Sequence, residues 1–341
     1  MGTTIYDIAK KCHCSTTTVS KVFNNSGKIS EEKAKLIRKT AEEMGYTPNA
    51  SARFVAGGAK LSRLLGVILQ INEDKGLGHE LFSRILNSFR MEAEKQGYDI
   101  CFLSRLDDDS PYSYLNKLES RGCSGVFALS ARIKEKKIQE LYQSDIPVVS
   151  FDYDKGKSSI SSNNEESVAE LVNYLVKLGH RRICYVHPDD SELCLKRKEG
   201  FILGLKQNNI PFDERMVVSA PFFSEGSAQI ATDKALASGI NPTAIMYPDD
   251  YCAINAIPYL RSLGYKVPRD ISITGFDGIE VASIMRPSIT TIGQDAKALG
   301  REAARLLLAQ IENPKVINKH IVIPAHLQKG ESTRDITKED E

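Results

Sequence analysis

The chain has 341 residues, of which 41% are hydrophobic, and 45 Lys and Arg stand against 44 Asp and Glu for a formal charge of +1. That much apolar material supplies cores for two or three domains. No apolar run approaches the roughly 20 residues that cross a bilayer, and the N-terminus lacks a basic-then-apolar secretion pattern, so a cytoplasmic protein without membrane contact is expected.

The charge is unevenly placed. Residues 1–60 hold eight Lys and two Arg against one Asp and four Glu, a net of +5, which leaves −4 for the remainder. A basic head on an acidic body fits a polyanion-binding module joined to a part that does not touch the polyanion. The seven cysteines, odd in number and scattered, fit reduced thiols rather than a disulfide framework.

Thr4 followed by Asp7 resembles a capping box that opens a short helix, Ile5 to Lys11, with Ile5, Ile8 and Ala9 on one face. After Cys12-His13-Cys14, Ser15 caps a second helix, Thr16 to Asn24, with Val19, Val22 and Phe23 as its inward stripe. A third helix starts at Ser30, carries Ala34, Leu36, Ile37, Ala41 and Met44 and closes at Gly45. Three short helices around one small core make a helix-turn-helix. Against double-stranded DNA, the second helix turns Thr16, Thr17 and Lys21 toward base edges and Ser15, Ser20 and Asn24 toward phosphates. Threonines make no bidentate purine contact, so direct readout is expected to be modest. The competing reading is a three-helix protein-interaction module, which the charge asymmetry disfavours. Close Cys12-His13-Cys14 spacing lacks tetrahedral zinc geometry, and neither metal nor cofactor is expected.

Tyr46-Thr47-Pro48-Asn49 breaks the pattern, and Asn49 can cap a last segment, Ala50 to Ala56, before Gly57-Gly58. About two helical turns do not persist alone in water. The runs Ile5-Tyr6-Asp7-Ile8-Ala9, Ser15-Thr16-Thr17-Thr18-Val19-Ser20-Lys21-Val22-Phe23-Asn24 and Gly45-Tyr46-Thr47-Pro48-Asn49 resemble the head of the lactose/galactose-repressor family. The resemblance implies that Thr4 and Tyr6 join the DNA-facing residues and that the short segment, with Asn49, Ala52 and Val55, is a hinge helix. Two hinge copies then meet in the minor groove and wedge Val55 into a base step. Two positions depart from the family pattern. Val55 stands where leucine is usual, giving a shorter, β-branched wedge, and His13 stands where the turn has glycine, at a position needing positive φ that His tolerates.

From Leu64 onward, short apolar runs alternate with amphipathic stretches. Strands are expected at 64–69, 99–103, 126–129, 148–151, 183–186, 217–218, 244–247 and 271–275, and helices include 81–95, 167–178, 199–207, 228–237, 253–263 and 296–311. Strand–helix repetition means parallel sheets covered on both faces. The resemblance extends over this region and implies a periplasmic-binding-protein-like α/β domain of two parallel-sheet lobes behind the small all-α head. The division expected is 1–47 for the head, 48–60 for hinge and linker, and 61–341 for effector binding and dimerisation, with crossovers near 161, 291 and 320.

Ligands in open α/β units sit beyond the carboxyl ends of strands. There the resemblance points to Arg197 in Arg-x-x-Gly-aromatic, Asp277 in Gly-aromatic-Asp, Asp152 after a strand, and Phe222 near the aromatic that stacks on the ligand. Asp249 replaces a family asparagine; the competing reading is that Asp250, and with it Asp249, merely caps the following helix. Three carboxylates against one arginine favour a neutral, sugar-like effector over a phosphate or carboxylate. A purine-type corepressor remains the alternative, and less so a cytoplasmic ligand-binding protein without a DNA role. His180-Arg181-Arg182 reads as a helix-end cap. Asp107–Asp109, Lys134–Lys137 and the tail Glu331–Glu341 read as solvated surface or frayed terminus. Without leucine heptads in the tail, a homodimer on a pseudo-palindromic operator is the simplest assembly. An enzyme is disfavoured because no phosphate loop, nucleophile elbow or His-Glu-x-x-His is present, and a secreted solute-binding protein because of the head and the missing signal.

Overall fold

The computed structural model describes residues 4–23, 29–44, 63–70, 76–103, 105–106, 112–153, 155–189, 191–222, 226–313, 315 and 317–338. In the head, α1 (Ile5–Lys11), α2 (Thr16–Phe23) and α3 (Glu31–Glu43) close on Ile8, Ala9, Cys12, Val19, Val22, Ile37 and Ala41. The Thr4 hydroxyl accepts from the Asp7 amide while Asp7 accepts back from the Thr4 amide, so two orphan donors of α1 are satisfied reciprocally. Ser15 Oγ accepts from the Thr18 amide at 3.1 Å and starts α2. His13 takes φ +48° in the turn between them, the conformation that lets two short helices cross so closely. Leu36, one of the apolar residues of α3, is 51% exposed. In α3 the apolar stripe of Ile37 and Ala41, four residues apart, sets the buried face and turns Leu36 away from it.

The first lobe is a six-stranded parallel sheet with order β11-β5-β4-β3-β1-β2. Its strands are β1 (Leu64–Leu69), β2 (Asp99–Phe102), β3 (Gly125–Ser130), β4 (Val148–Phe151), β5 (Ser158–Ser162) and β11 (His320–Ile323). One face is covered by α4 (Glu80–Lys95) and the late helix α12 (Ala296–Glu312), which share Ile85, Phe89, Leu299, Ala303 and Leu307 with the sheet. The other carries α5 (Tyr114–Arg121) and α6 (Lys136–Gln143), packed on Ile68, Val126 and Val148. Burial on both faces is why β1 and β3 read as unbroken apolar runs.

The second lobe is a four-stranded parallel sheet, order β7-β6-β8-β9, from β6 (Ile183–His187), β7 (Val217–Ser219), β8 (Ala244–Met246) and β9 (Ser272–Thr274). Beside it, β10 (Thr291–Gly293) pairs antiparallel with β12 (His326–Gln328). Helices α7 (Asn164–Lys177) and α8 (Glu192–Gln207) cover one face; α9 (Ser227–Ala237), α10 (Asp250–Ser262) and the short α11 (Glu280–Ile284) cover the other. The chain passes between lobes three times: from β5 to α7, from β10 to α12, and from β11 to β12.

Strands β10, β11 and β12 were not among the expected ones, and three further departures from the sequence reading have identifiable reasons. Strand β5 is nearly all serine and still buried, because Ser158 Oγ accepts from Gln310 Nε2, Ser159 Oγ pairs with His320 Nδ1 and Ser162 Oγ donates to Gln294 Oε1. Helix α8 begins seven residues before the expected start, since Ser191 Oγ accepts from the Cys194 amide; Arg197 therefore lies inside a helix, not on a loop. The segment 329–338 is docked rather than frayed. Ser332, with no exposed surface, exchanges hydrogen bonds with Ile273, and the Ile336 amide donates to the Leu178 carbonyl. Asp107–Asp109 lie outside the described residues.

Candidate functional site between the lobes

Asp152 follows β4 in the first lobe with φ +57°, and Asp277 follows β9 in the second with φ +115°. Backbone in such sparsely populated regions costs about 1–3 kcal/mol and persists where surroundings over-determine it. Around Asp277 they do: its amide donates to the Ile292 carbonyl and its carbonyl accepts from the Gln294 amide. Gly275, two residues earlier, has a direct reason in packing. A Cβ there would stand 2.2 Å from Asp250 Oδ1, so only glycine lets the buried carboxylate approach the strand end.

Arg197 connects the carboxyl groups. It is 5% exposed, its Nε donates to Asn164 Oδ1 at 2.9 Å, a terminal nitrogen donates to the Pro248 carbonyl at 3.1 Å, and its guanidinium lies 3.6 Å from the centre of the Phe276 ring. Asn164 in turn donates to Asp152 Oδ1 at 3.2 Å and to the Ser162 carbonyl. On the other side, Gln294 Nε2 donates to Asp277 Oδ1 at 2.8 Å while its oxygen accepts from Ser162 Oγ at 2.6 Å. One polar network thus joins residues of both lobes. His79, at the mouth of α4, places Nε2 4.0 Å from Asp277 Oδ2 and packs its ring 5.2 Å from Tyr251. The Glu280 amide donates to Glu80 Oε1 at 2.8 Å, a further contact between lobes.

The electrostatics follow from burial. Desolvation pushes the Asp152 carboxyl up to about 6 although Arg197 and Asn164 favour its ionised form. It raises Asp277 well above the carboxylate range; Arg197 opposes that rise, while Asp250 and Asp249 add to it. Asp250, fully buried, is pushed up to about 7. Asp249 is both 3% exposed and the cap of α10, its Oδ1 accepting from the Cys252 amide at 2.8 Å. Phe222 is half-buried beyond the carboxyl end of β7. The network offers acidic acceptors around one arginine whose donors are already partly engaged, a set suited to the hydroxyl hydrogens of an uncharged ligand.

Asp152, Arg197, Asp249 and Asp277 are therefore brought to one region. Asn164, His79 and Gln294 complete it and were not singled out from the sequence; Phe276 entered only as the aromatic of the Gly-aromatic-Asp segment. Asp250, read as the cap of the following helix, does not cap it: Asp249 does, and the Asp250 carboxyl turns inward to Thr291 and Ile279, a role with no local signal.

In the head, Thr17 and Lys21 are exposed on α2, Tyr6 is 72% exposed on α1, and Thr16 and Ser20 are half-buried. The hydroxyls of Thr4 and Ser15 are already engaged in helix caps. Asn24, Asn49, Ala52 and Val55 lie outside the described residues. Among the described residues no group of three or more His, Cys, Asp or Glu is arranged to hold a metal ion, and no helix is long and apolar enough to cross a membrane.

Residues 4–49 match the family model of bacterial regulatory proteins, lacI family, and residues 172–333 that of a periplasmic binding protein-like domain. The chain is similar to catabolite control protein A of Priestia megaterium, 27% identical over 341 residues and covering 98% of this chain and 100% of the relative. It is also similar to the HTH-type transcriptional repressor PurR of Vibrio atlanticus (strain LGP32), 28% identical over 316 residues, 91% of this chain and 92% of that one. Among solved structures, the lac repressor dimer bound to operator and the anti-inducer ONPF matches with a TM-score of 0.79 at 26% identity, covering 98% of this chain and 100% of that one.

Proposed function

Because this chain belongs to the lacI family of bacterial regulatory proteins, and is a DNA-binding transcriptional regulator rather than an enzyme, we propose that it represses carbohydrate-utilisation genes and that a neutral, hydroxyl-rich small molecule between its lobes sets its operator affinity. The observation that carries this reading is the excess of carboxyl groups, half-buried Asp152 and buried Asp249, Asp250 and Asp277, around the single guanidinium of Arg197. A phosphate or carboxylate ligand would add a further negative charge to a region where burial already penalises ionisation. Hydroxyl groups instead supply donors to the carboxylates and accept from Arg197.

The lac repressor structure is a dimer on its operator, and the same assembly is proposed here. Two heads take adjacent major-groove half-sites through α2, with Thr16, Thr17 and Lys21 toward the bases, while the hinge segments carrying Asn49, Ala52 and Val55 meet in the minor groove. Ligand binding acts through the network that joins the lobes: a molecule that exchanges hydrogen bonds with Asp152, Arg197 and Asp277 changes how the lobes close, and hence the stability of hinge pairing on DNA.

Isothermal calorimetry with monosaccharides, short oligosaccharides, their phosphates and purines tests this. The reading expects heat with a free sugar and at least about tenfold weaker binding of its phosphate, a cost of about 1.4 kcal/mol. Tighter binding of the phosphate would overturn it, and binding of a purine alone would replace it with the corepressor alternative.

A further inference from the structure

Away from the cleft, on the outer edge of the first lobe, Cys101 in β2 and Cys123 just beyond α5 hold their sulfur atoms 3.5 Å apart. Strand β2 is the last strand of its sheet, and both thiols are partly exposed. Their positions are set by the fold. Cys101 is in register with Gly66 of β1. Cys123 is held by its amide, which donates to the Leu118 carbonyl at 2.9 Å, after Gly122 ends α5 in the left-handed conformation. Both pack against the cluster of Ile68, Leu103 and Leu118. Arg121 closes the arrangement: one guanidinium nitrogen donates to the Phe102 carbonyl at 2.6 Å, and the same group hydrogen-bonds to the Cys101 sulfur.

From this placement of two thiols and one arginine we infer that Cys101 and Cys123 form a peroxide-reactive dithiol that closes to an intramolecular disulfide. The chemistry is balanced with a hydroperoxide as the oxidant. The Cys101 thiolate attacks one peroxide oxygen, an S–O bond forms as the O–O bond breaks, and the departing oxygen leaves as water or an alcohol after taking a proton. Cys123 then attacks the Cys101 sulfenic sulfur; the S–S bond forms, the S–O bond breaks, and the hydroxyl leaves as water with the Cys123 proton. Two thiols lose two electrons in all, and the peroxide gains them.

The two sulfurs divide the roles unequally. The Cys123 hydrogen bond and the Arg121 guanidinium lower the Cys101 thiol to about 6, which makes it the thiolate at neutral pH, while that same hydrogen bond, burial and the neighbouring thiolate raise Cys123. Closing a bond of about 2.05 Å asks the sulfurs to approach by about 1.5 Å, within reach of side-chain rotation at two partly exposed positions. The remaining cysteines differ in kind. Cys12, Cys184, Cys194 and Cys252 are buried, and burial raises the thiols of Cys14, Cys184 and Cys194. The inference is independent of which ligand the cleft takes.

The test uses the full chain, reduced, freed of reductant, exposed to one equivalent of hydrogen peroxide near pH 7, then alkylated and digested with trypsin. Cleavage at Lys95, Arg105, Arg121 and Arg132 separates the two cysteines into different peptides. The expected product is those two peptides joined and two mass units lighter than their sum, with the other five cysteines still alkylated. In Cys123→Ser, dimedone should trap a sulfenic acid at Cys101, whereas in Cys101→Ser, position 123 should stay alkylatable. In the wild type, alkylation of Cys101 should be half-maximal near pH 6 and move upward in Arg121→Gln. Full alkylation of all seven cysteines after peroxide, or a disulfide joining any other pair or two chains, would overturn the inference, and that arm requires no variant to fold.

Discussion

Replacing Asp250 with asparagine isolates the cost of a carboxyl group buried in the interior of the second lobe. The side chain has no exposed surface; Oδ1 accepts from Thr291 Oγ1 at 2.5 Å and Oδ2 from the Ile279 amide at 2.9 Å. Burial pushes its pKa from an ordinary 3.8 to about 7, a penalty on the ionised form of about 4 kcal/mol. A carboxyl raised in the folded state binds its proton more tightly there than in the unfolded chain. Its contribution to stability is therefore lost as pH rises from about 4 to about 7, and the full penalty stands above that window. An asparagine fits the same partners, its oxygen accepting from Ile279 and its amide donating to Thr291 Oγ1, with no proton to lose. Urea unfolding followed by circular dichroism should show Asp250→Asn gaining on the wild type by about 2–3 kcal/mol between pH 5 and pH 8. Parallel stability profiles for the two proteins across that range would refute the argument, because they would mean that Asp250 is ionised in the folded protein at no cost.

Arg197→Ala strands the Asn164 and Pro248 oxygens and leaves Asp152 and Asp277 without their cation. It should lose about 3–5 kcal/mol of stability together with the calorimetric response to effector, while operator affinity measured below its unfolding transition is retained; an intact effector response would move the ligand site elsewhere. Lys21→Ala should reduce the slope of log affinity against log salt by about 1 per head in operator-binding titrations if the amine meets a phosphate. An unchanged slope with unchanged base preference would remove Lys21 from the interface. Gly300→Ala puts a Cβ 2.1 Å from the Ile85 carbonyl oxygen, so α4 and α12 must separate. Although alanine favours a helix by about 1 kcal/mol, a net loss of about 2–4 kcal/mol is expected from denaturant unfolding, and a stabilised variant would contradict the close approach.

Much of the architecture was readable because its signals are local. The Thr4–Asp7 capping box, the Ser15 cap and the Ile8, Val19, Val22 and Ile37 positions announce the head within a few residues of one another. The apolar runs of β1, β3 and β6 announce parallel sheets because both of their faces are covered. The polar strand β5 had no such signal. Its serines are satisfied by Gln310, His320 and Gln294, which lie more than 130 residues further along the chain. The start of α8 was misplaced for a smaller reason: its first two turns carry a mixed pattern, and only the Ser191 cap marks where they begin.

The region proposed for the ligand divides along the same line. Arg197 and Asp277 stand in short recognisable segments, and loops after strands directed attention to Asp152 and Asp249. Asn164, His79 and Gln294 are ordinary polar residues in the sequence; they matter because the chain crosses between lobes beside them and carries them into one hydrogen-bonded set. Cys101 and Cys123 are likewise 22 positions apart and meet only because an edge strand and the end of a helix are adjacent in the first lobe. Local periodicity and capping determined which segments of this protein become helices and apolar strands, since those choices depend on neighbours within a turn or two. The shared environment of its buried carboxyls and its paired thiols was decided by tertiary packing, because desolvation and charge act through distances in space that no local spacing encodes.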